Sequence, residues 1–139
     1  MRIYLFFLLQ LLSVSNYAQL TDQQIRDLKT GRLPDDSSYI YSLPYAIGKS
    51  YIFVQGANSM FSHKNSFAYD FKMKEGSPVH SARGGIVVAS RNDSKEGGLK
   101  QENLSDGNYI FIKHEDGSIG QYWHFKFGGV LVKDGENVE

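Results

Sequence analysis

The sequence predicts an all-β fold with an antiparallel β-sheet core, preceded by a signal peptide and a short N-terminal helix. From residue 50 onward, short runs rich in β-branched and aromatic residues alternate with clusters of Gly, Asn, Asp and Ser. Asp116-Gly117 lies between two of the strongest runs, and Asp-Gly is a favoured hairpin turn. The chain has 139 residues, 41% of them hydrophobic, which is enough for one core.

Residues 1–18 have the pattern of a signal peptide. A basic start at Arg2 is followed by the apolar run IYLFFLLQLLSV, which is short for a membrane span. Asn16 stands where a small residue is preferred, two positions before Ala18, so an uncleaved anchor is the alternative. The pattern predicts a secreted or periplasmic bacterial protein. The chain has no cysteine, so its stability must come from packing or a metal rather than from disulfides.

Residues 19–49 are predicted to form a short helix and an extended arm. Thr21 and Gln24 have the spacing of a capping box, which predicts a helix over about 21–30. Residues 31–48 show no sustained period and are expected to lie over the core. Three tyrosines of this arm are expected to pack: Tyr39, Tyr41 and Tyr45.

Residues 50–139 are predicted to form one β-sheet domain. A long loop, 92–107, is rich in Gly, Ser and charged residues and separates two core strands. Six apolar runs are predicted as strands: SYIFVQ (50–55), SFAYDF (66–71), GIVVASR (85–91), NYIFIKH (108–114), IGQYWHF (119–125) and GVLV (129–132).

The Asp-Gly hairpin carries a prediction about which side chains share a face. A two-residue loop would place His114 and His124 on opposite faces, and an odd-length loop would reverse that conclusion. The register for a two-residue loop pairs Glu115 with Ser118, His114 with Ile119, Phe111 with Tyr122, and Tyr109 with His124.

Composition and motifs exclude several kinds of site. Lys plus Arg and Asp plus Glu are 15 each, so no net charge attracts nucleic acid or an anionic membrane. The chain has no glycine-rich phosphate loop, no Ser-centred nucleophile elbow and no HExxH motif. The candidates for chemistry are therefore the histidines and their neighbouring carboxylates.

His63 and Asp70 are the candidate metal ligands. A neutral imidazole and a carboxylate both bind zinc, at about 2.0 to 2.2 Å. Their separation of seven positions would send the two side chains to opposite faces of a straight strand. Convergence on one ion therefore requires a loop after His63, with the strand starting near Phe67. An exposed loop histidine and a surface aspartate would give the same pattern.

The other histidines have simpler interpretations. His124 lies in the aromatic run QYWHF, where an imidazole is either a half-buried core residue or a catalyst. His114 ends a strand beside an acidic turn and is interpreted as structural. His80 follows Pro78-Val79 at a strand end, with a role as a substitute ligand as the alternative.

Three segments, taken in order, resemble the LytM/lysostaphin-type zinc endopeptidases of the M23 peptidase family. The resemblance runs from about Gly56 to the end of the chain. The segments are SHKNSFAYDFKMKEGSPVHSARGGIVVAS, GNYIFIKHEDGSIGQYWHF and GGVLVKDGENV.

This resemblance implies a β-sandwich with an open groove and Zn²⁺ as the cofactor. It implies an exported endopeptidase that cuts peptide cross-links of bacterial peptidoglycan with a zinc-activated water. His63 and Asp70 match the first two zinc ligands, and His124 matches a catalytic histidine beside the metal.

Two departures from the family pattern bear on these expectations. Six residues separate His63 from Asp70, whereas many members have three. The family's downstream His-x-His motif, which supplies a third ligand, does not occur before Glu139. The resemblance therefore implies a partial domain, with a missing segment or another chain supplying that ligand. The alternatives are a non-catalytic module that binds wall peptide or a partner protein, and an exported β-domain without metal.

Overall fold

The computed structural model describes residues 21–32, 38–64, 66–97, 103 and 106–139. The predicted signal peptide, 1–18, lies outside the described residues. No helix in the described ranges is both long and apolar enough to cross a membrane. The described residues contain one helix and six strands: α1 (Asp22–Lys29), β1 (Ile52–Gln55), β2 (Asp70–Lys72), β3 (Gly85–Arg91), β4 (Asn108–Lys113), β5 (Ile119–Phe125) and β6 (Asn137–Val138).

Every strand pairing is antiparallel, which confirms the predicted all-β class. β1 and β2 form a two-stranded sheet, here called the ribbon. The other strands form a four-stranded sheet in the order β5-β4-β3-β6. The short helix α1 begins with the predicted capping box, because the Gln24 N–H donates to Thr21 Oγ1 (3.2 Å) and the Thr21 N–H donates to Gln24 Oε1 (2.9 Å).

The four-stranded sheet contains the buried core. Val87 on β3 and Ile112 on β4 are 1% and 3% exposed. Gly85 allows the two strands to approach, because a Cβ there would lie 2.9 Å from Ile112 Cγ2. Neighbouring side chains in a strand point to opposite faces. The second face accordingly carries an aromatic cluster, with ring centroids 4.7 to 5.3 Å apart, formed by Tyr109, Phe111 and Trp123.

The predicted strand at residues 129–132 is not a strand. The Val130 N–H donates to Asn92 Oδ1 (2.8 Å), and the Val130 carbonyl accepts from Asn92 Nδ2 (2.9 Å). One side-chain amide thus satisfies both backbone groups, which are no longer available for a ladder. The sheet edge is instead formed by β6, which the sequence did not predict and which pairs with Gly85 and Ile86.

The arm connects the ribbon to the four-stranded sheet. The Ser42 N–H donates to the Ala82 carbonyl (2.7 Å), and the His80 N–H donates to the Pro44 carbonyl (3.0 Å). The expected packing of the tyrosines is confirmed for Tyr45, whereas Tyr39 and Tyr41 make contacts but stay 38% and 53% exposed. Tyr45 contacts Tyr51 and Phe71 with centroids 4.9 and 5.7 Å apart, the Arg83 guanidinium lies 3.9 Å from the Tyr39 ring centroid, and Tyr41 contacts the His114 ring.

The hairpin register predicted from a two-residue loop is wrong by one position. The His114 N–H donates to the Ser118 carbonyl (2.9 Å), so three residues form the loop. Gly117, at φ 84°, takes the left-handed conformation that such loops require. The observed pairs are Ile110 with Tyr122, Phe111 with Gln121, Ile112 with Gly120 and Lys113 with Ile119, in place of the predicted Glu115–Ser118, His114–Ile119, Phe111–Tyr122 and Tyr109–His124.

Candidate functional site

The ribbon brings the two candidate metal ligands together. Asp70 is the first residue of β2, and His63 lies in the loop that joins β1 to β2. The loop folds back on itself, because the Ser66 N–H donates to the His63 carbonyl (3.0 Å) and the Asn58 N–H donates to the Ser66 carbonyl (2.9 Å). As a result, His63 Nε2 lies 3.4 Å from Asp70 Oδ1.

This separation fits two corners of a zinc site. Two ligand atoms that each lie about 2.05 Å from zinc, at a tetrahedral angle, are about 3.4 Å apart. The observed distance between His63 Nε2 and Asp70 Oδ1 is 3.4 Å. The His63 side chain is 12% exposed and that of Asp70 is 45% exposed, so the pair is anchored on one side and open to solvent on the other.

A backbone carbonyl orients the His63 ring. His63 Nδ1 lies 3.3 Å from the Gly56 carbonyl, which can only accept a hydrogen bond and therefore favours the tautomer with the proton on Nδ1. In that tautomer Nε2 has the free lone pair, and Nε2 is the nitrogen that faces Asp70. A histidine ligand commonly donates its second N–H in this way.

Gln55 is a site residue that the sequence interpretation missed. Its side-chain Nε2 is in close contact with Asp70 Oδ2 and lies 3.3 Å from His63 Nε2. A register shift at Val54 makes Gln55 the direct cross-strand partner of Asp70. The available signal was a polar residue that ends the otherwise apolar run SYIFVQ.

His124 occupies an irregular position at the end of β5. Tyr109 pairs with Trp123 and Asn108 pairs with Phe125, which leaves His124 as the extra residue of a bulge. Its φ of 66° lies in the left-handed region, which histidine enters more often than most residues. Its side chain is exposed rather than packed in the core. Its catalytic role stays a prediction.

The described residues contain no group of three or more His, Cys, Asp or Glu side chains that could hold a metal ion. His114 is 2% exposed, and its Nδ1 lies 2.8 Å from the Gly84 carbonyl. Its Nε2 is buried without a partner, in a space where a Cβ on Gly120 would come within 2.9 Å. His114 is therefore enclosed by the hairpin, whereas His80 is exposed.

An apolar cleft of about 410 Å³ lies on the four-stranded sheet. The residues that line it include neither the ligand pair nor His124. The cleft and the ligand pair are thus separate features. Its apolar lining comes mainly from Val79, Ile110, Ile112, Tyr122, Phe125 and Leu131.

Comparison with known protein families finds one match. The model of Peptidase family M23 matches residues 64–139, which is more than half of the chain. The matched range begins one residue after His63 and includes Asp70 and His124. No curated protein and no solved structure matches the chain.

Proposed function

Because the chain belongs to peptidase family M23, we propose that it is a zinc-dependent endopeptidase that hydrolyses peptide bonds in bacterial cell-wall cross-links. The observation that carries the zinc part of this proposal is the 3.4 Å separation of His63 Nε2 and Asp70 Oδ1. Zinc prefers nitrogen, sulfur and carboxylate ligands, and this pair supplies two of them.

His63 and Asp70 would hold the metal. The Gly56 carbonyl would keep the imidazole in the tautomer that presents Nε2. When bound, zinc would supply Lewis acidity, which polarises a peptide carbonyl and makes water a better nucleophile near neutral pH.

His124 is the residue of the chain proposed to handle a proton. An imidazole accepts and donates protons near neutral pH, which suits general acid–base catalysis. The exposure of His124 on a bulge supports this role, because the ring is free to contact a bound peptide.

The substrate and the location belong to the same proposal. Large aromatic side chains of the ribbon region offer an apolar surface for an extended peptide: Phe53, Phe67 and Tyr69, which are 54%, 51% and 52% exposed. The leader-like pattern of residues 1–18 supports export, which would bring the protein to the cell wall.

Zinc titration of the purified protein tests the metal site. We expect binding in the wild type and its loss in His63→Ala and in Asp70→Ala, because each change removes one of two protein ligands. His80→Ala is the matched control, since His80 is an exposed histidine outside the pair, and it should bind as the wild type does. Binding that depends on His80 and not on His63 would place the metal elsewhere.

Hydrolysis of purified peptidoglycan tests the reaction. We expect the release of new amino groups, its loss on chelation, and a fall of about 100-fold in His124→Ala with zinc binding retained. Hydrolysis that His63→Ala and Asp70→Ala leave unchanged would refute the proposal. Muropeptide binding without cleavage, unaffected by chelation and by His124→Ala, would instead identify a non-catalytic binding module.

A further inference from the structure

We propose that Gln55 is a third residue of the metal site, which holds the ligand pair together in the metal-free protein and turns its side-chain oxygen toward the metal on binding. This inference rests on the proposed zinc site at His63 and Asp70. It concerns a residue in β1, outside the part of the chain that matches the family model.

The contacts of the Gln55 side chain are concentrated on the two ligands. Nε2 contacts Asp70 Oδ2, lies 3.3 Å from His63 Nε2 and lies 2.6 Å from Ser62 Oγ. At the other end of the amide, Oε1 accepts from Ser59 Oγ at 2.6 Å.

A hydrogen-bond donor beside the two ligands reduces the electrostatic repulsion between them. In the tautomer that donates from Nδ1 to Gly56, His63 Nε2 presents a lone pair, and the Asp70 carboxylate presents only acceptors. Two such groups repel each other at 3.4 Å unless a donor or a cation lies between them. The NH₂ group of Gln55 donates to Asp70 Oδ2 and lies 3.3 Å from His63 Nε2, so in the metal-free protein it places partial positive charge beside both ligands.

The two serines let the amide work in either orientation. A half-turn about the Cγ–Cδ bond exchanges the nitrogen and the oxygen of Gln55. A serine hydroxyl both donates and accepts, so Ser59 and Ser62 can each serve either end of the amide. After the half-turn the oxygen faces the ligand pair, and an amide oxygen can bind a metal ion, whereas the NH₂ group cannot.

Gln55 is also well placed because it lies on a strand. The register shift at Val54 sets Gln55 directly opposite Asp70 in the ribbon, where cross-strand side chains are close neighbours. A metal-site residue on a paired strand is positioned more accurately than one on a loop. The ribbon thus carries two residues of the site, and the loop carries His63.

Zinc affinities of variants, measured by competition with a chromophoric chelator, test the inference. Gln55→Ala should weaken binding on the order of tenfold, because it removes both the prearrangement of the ligands and the oxygen. Gln55→Glu should bind zinc more tightly than the wild type, because a carboxylate replaces the amide at the same position. Gln121→Ala, which removes an exposed strand glutamine, is the matched control and should not change the affinity.

The outcomes separate this inference from the proposed function. Loss of binding in His63→Ala with wild-type affinity in Gln55→Ala would overturn the role of Gln55 and leave the zinc site standing. Wild-type protein that binds no zinc would overturn the zinc site itself. A Gln55→Glu variant that binds zinc no better than the wild type would also overturn the inference. This variant tests the role of Gln55 even if Gln55→Ala fails to fold.

The wild-type protein offers a second measurement. The side-chain NH₂ signals of Gln55 in a ¹⁵N–¹H spectrum, assigned by their absence in Gln55→Glu, should shift when zinc is added, because the contact with Asp70 is lost. The corresponding signals of Gln121 should stay in place. Gln55 signals that do not move at saturating zinc would show that its amide does not respond to the metal.

Discussion

The four-stranded sheet and the ribbon differ in where their side chains lie. In the sheet, Val87 and Ile112 are at most 3% exposed. In the ribbon, Ile52, Phe53 and Val54 are 66%, 54% and 57% exposed. Burial of apolar area is the main source of folding free energy. The sheet therefore supplies most of the stability, and the ribbon, which contributes less, carries the candidate ligand pair together with its connecting loop.

Two side-chain amides show the same division of roles. Asn108, at the start of β4, is 1% exposed and makes three hydrogen bonds, to the N–H and carbonyl of Ser94 and to the carbonyl of Phe125. All its partners are backbone groups, so this amide fixes the chain. Gln55 makes its contacts with side chains that are themselves polar and partly exposed, so it can be rearranged at smaller cost.

The largest effect on stability is expected when the side-chain amide of Asn108 is removed from the four-stranded sheet. Asn108→Ala should lower the free energy of unfolding by about 3 kcal/mol, because it leaves buried backbone groups of Ser94 and Phe125 without partners. Urea denaturation measures the change. Asn137→Ala, on the exposed edge strand, is the control and should stay within about 0.5 kcal/mol. A loss as small as that of the control would mean that the buried amide is not a stabilising element.

A smaller, pH-dependent effect is expected where the segment before β3 meets the hairpin turn. Arg83 Nη1 lies 2.8 Å from Asp116 Oδ2, with the side chains 13% and 20% exposed. The hydrogen bond from Arg83, assisted by those from Ser118, holds the pKa of Asp116 below its usual value. The pair therefore stabilises the fold above the unfolded pKa of about 4, and this contribution is lost as the pH falls through the lower folded value.

Asp116→Asn removes this titration. The variant should be less stable than the wild type at pH 7 and should approach wild-type stability in strong acid. Thermal unfolding between pH 2 and pH 7 measures the difference. A difference between the two proteins that does not change with pH would show that the ion pair between Arg83 and Asp116 does not contribute to stability.

The elements with a strong local signal were predictable from the sequence. The capping box of α1, the positions of β3, β4 and β5, and the antiparallel pairing all follow from residue patterns within a few positions. The approach of His63 to Asp70 was expected from their interpretation as metal ligands, which required a loop after His63. The strand after that loop starts at Asp70 and not near Phe67 as predicted.

The irregularities were not predictable, because each depends on a partner distant in sequence. The extra residues at Val54 and His124 shift the register without altering the apolar pattern. The third loop residue of the hairpin, which places Gly117 at positive φ, is compatible with the same sequence as a two-residue turn. Gln55 becomes a site residue only once its pairing with Asp70 is known.

The smallest effect on stability is expected at the ligand pair itself. Asp70→Ala should change the free energy of unfolding by less than about 0.5 kcal/mol without zinc, because the Asp70 side chain is 45% exposed and interactions of exposed charges contribute little. Its effect should appear only with metal: zinc at 100 times the dissociation constant should stabilise the wild type by about 2.7 kcal/mol and the variant not at all. Thermal unfolding with and without zinc measures both. If Asp70→Ala without zinc lowered the free energy of unfolding as much as Asn108→Ala does, the ribbon would belong to the cooperative core. The division between a stabilising sheet and a functional ribbon would then be wrong.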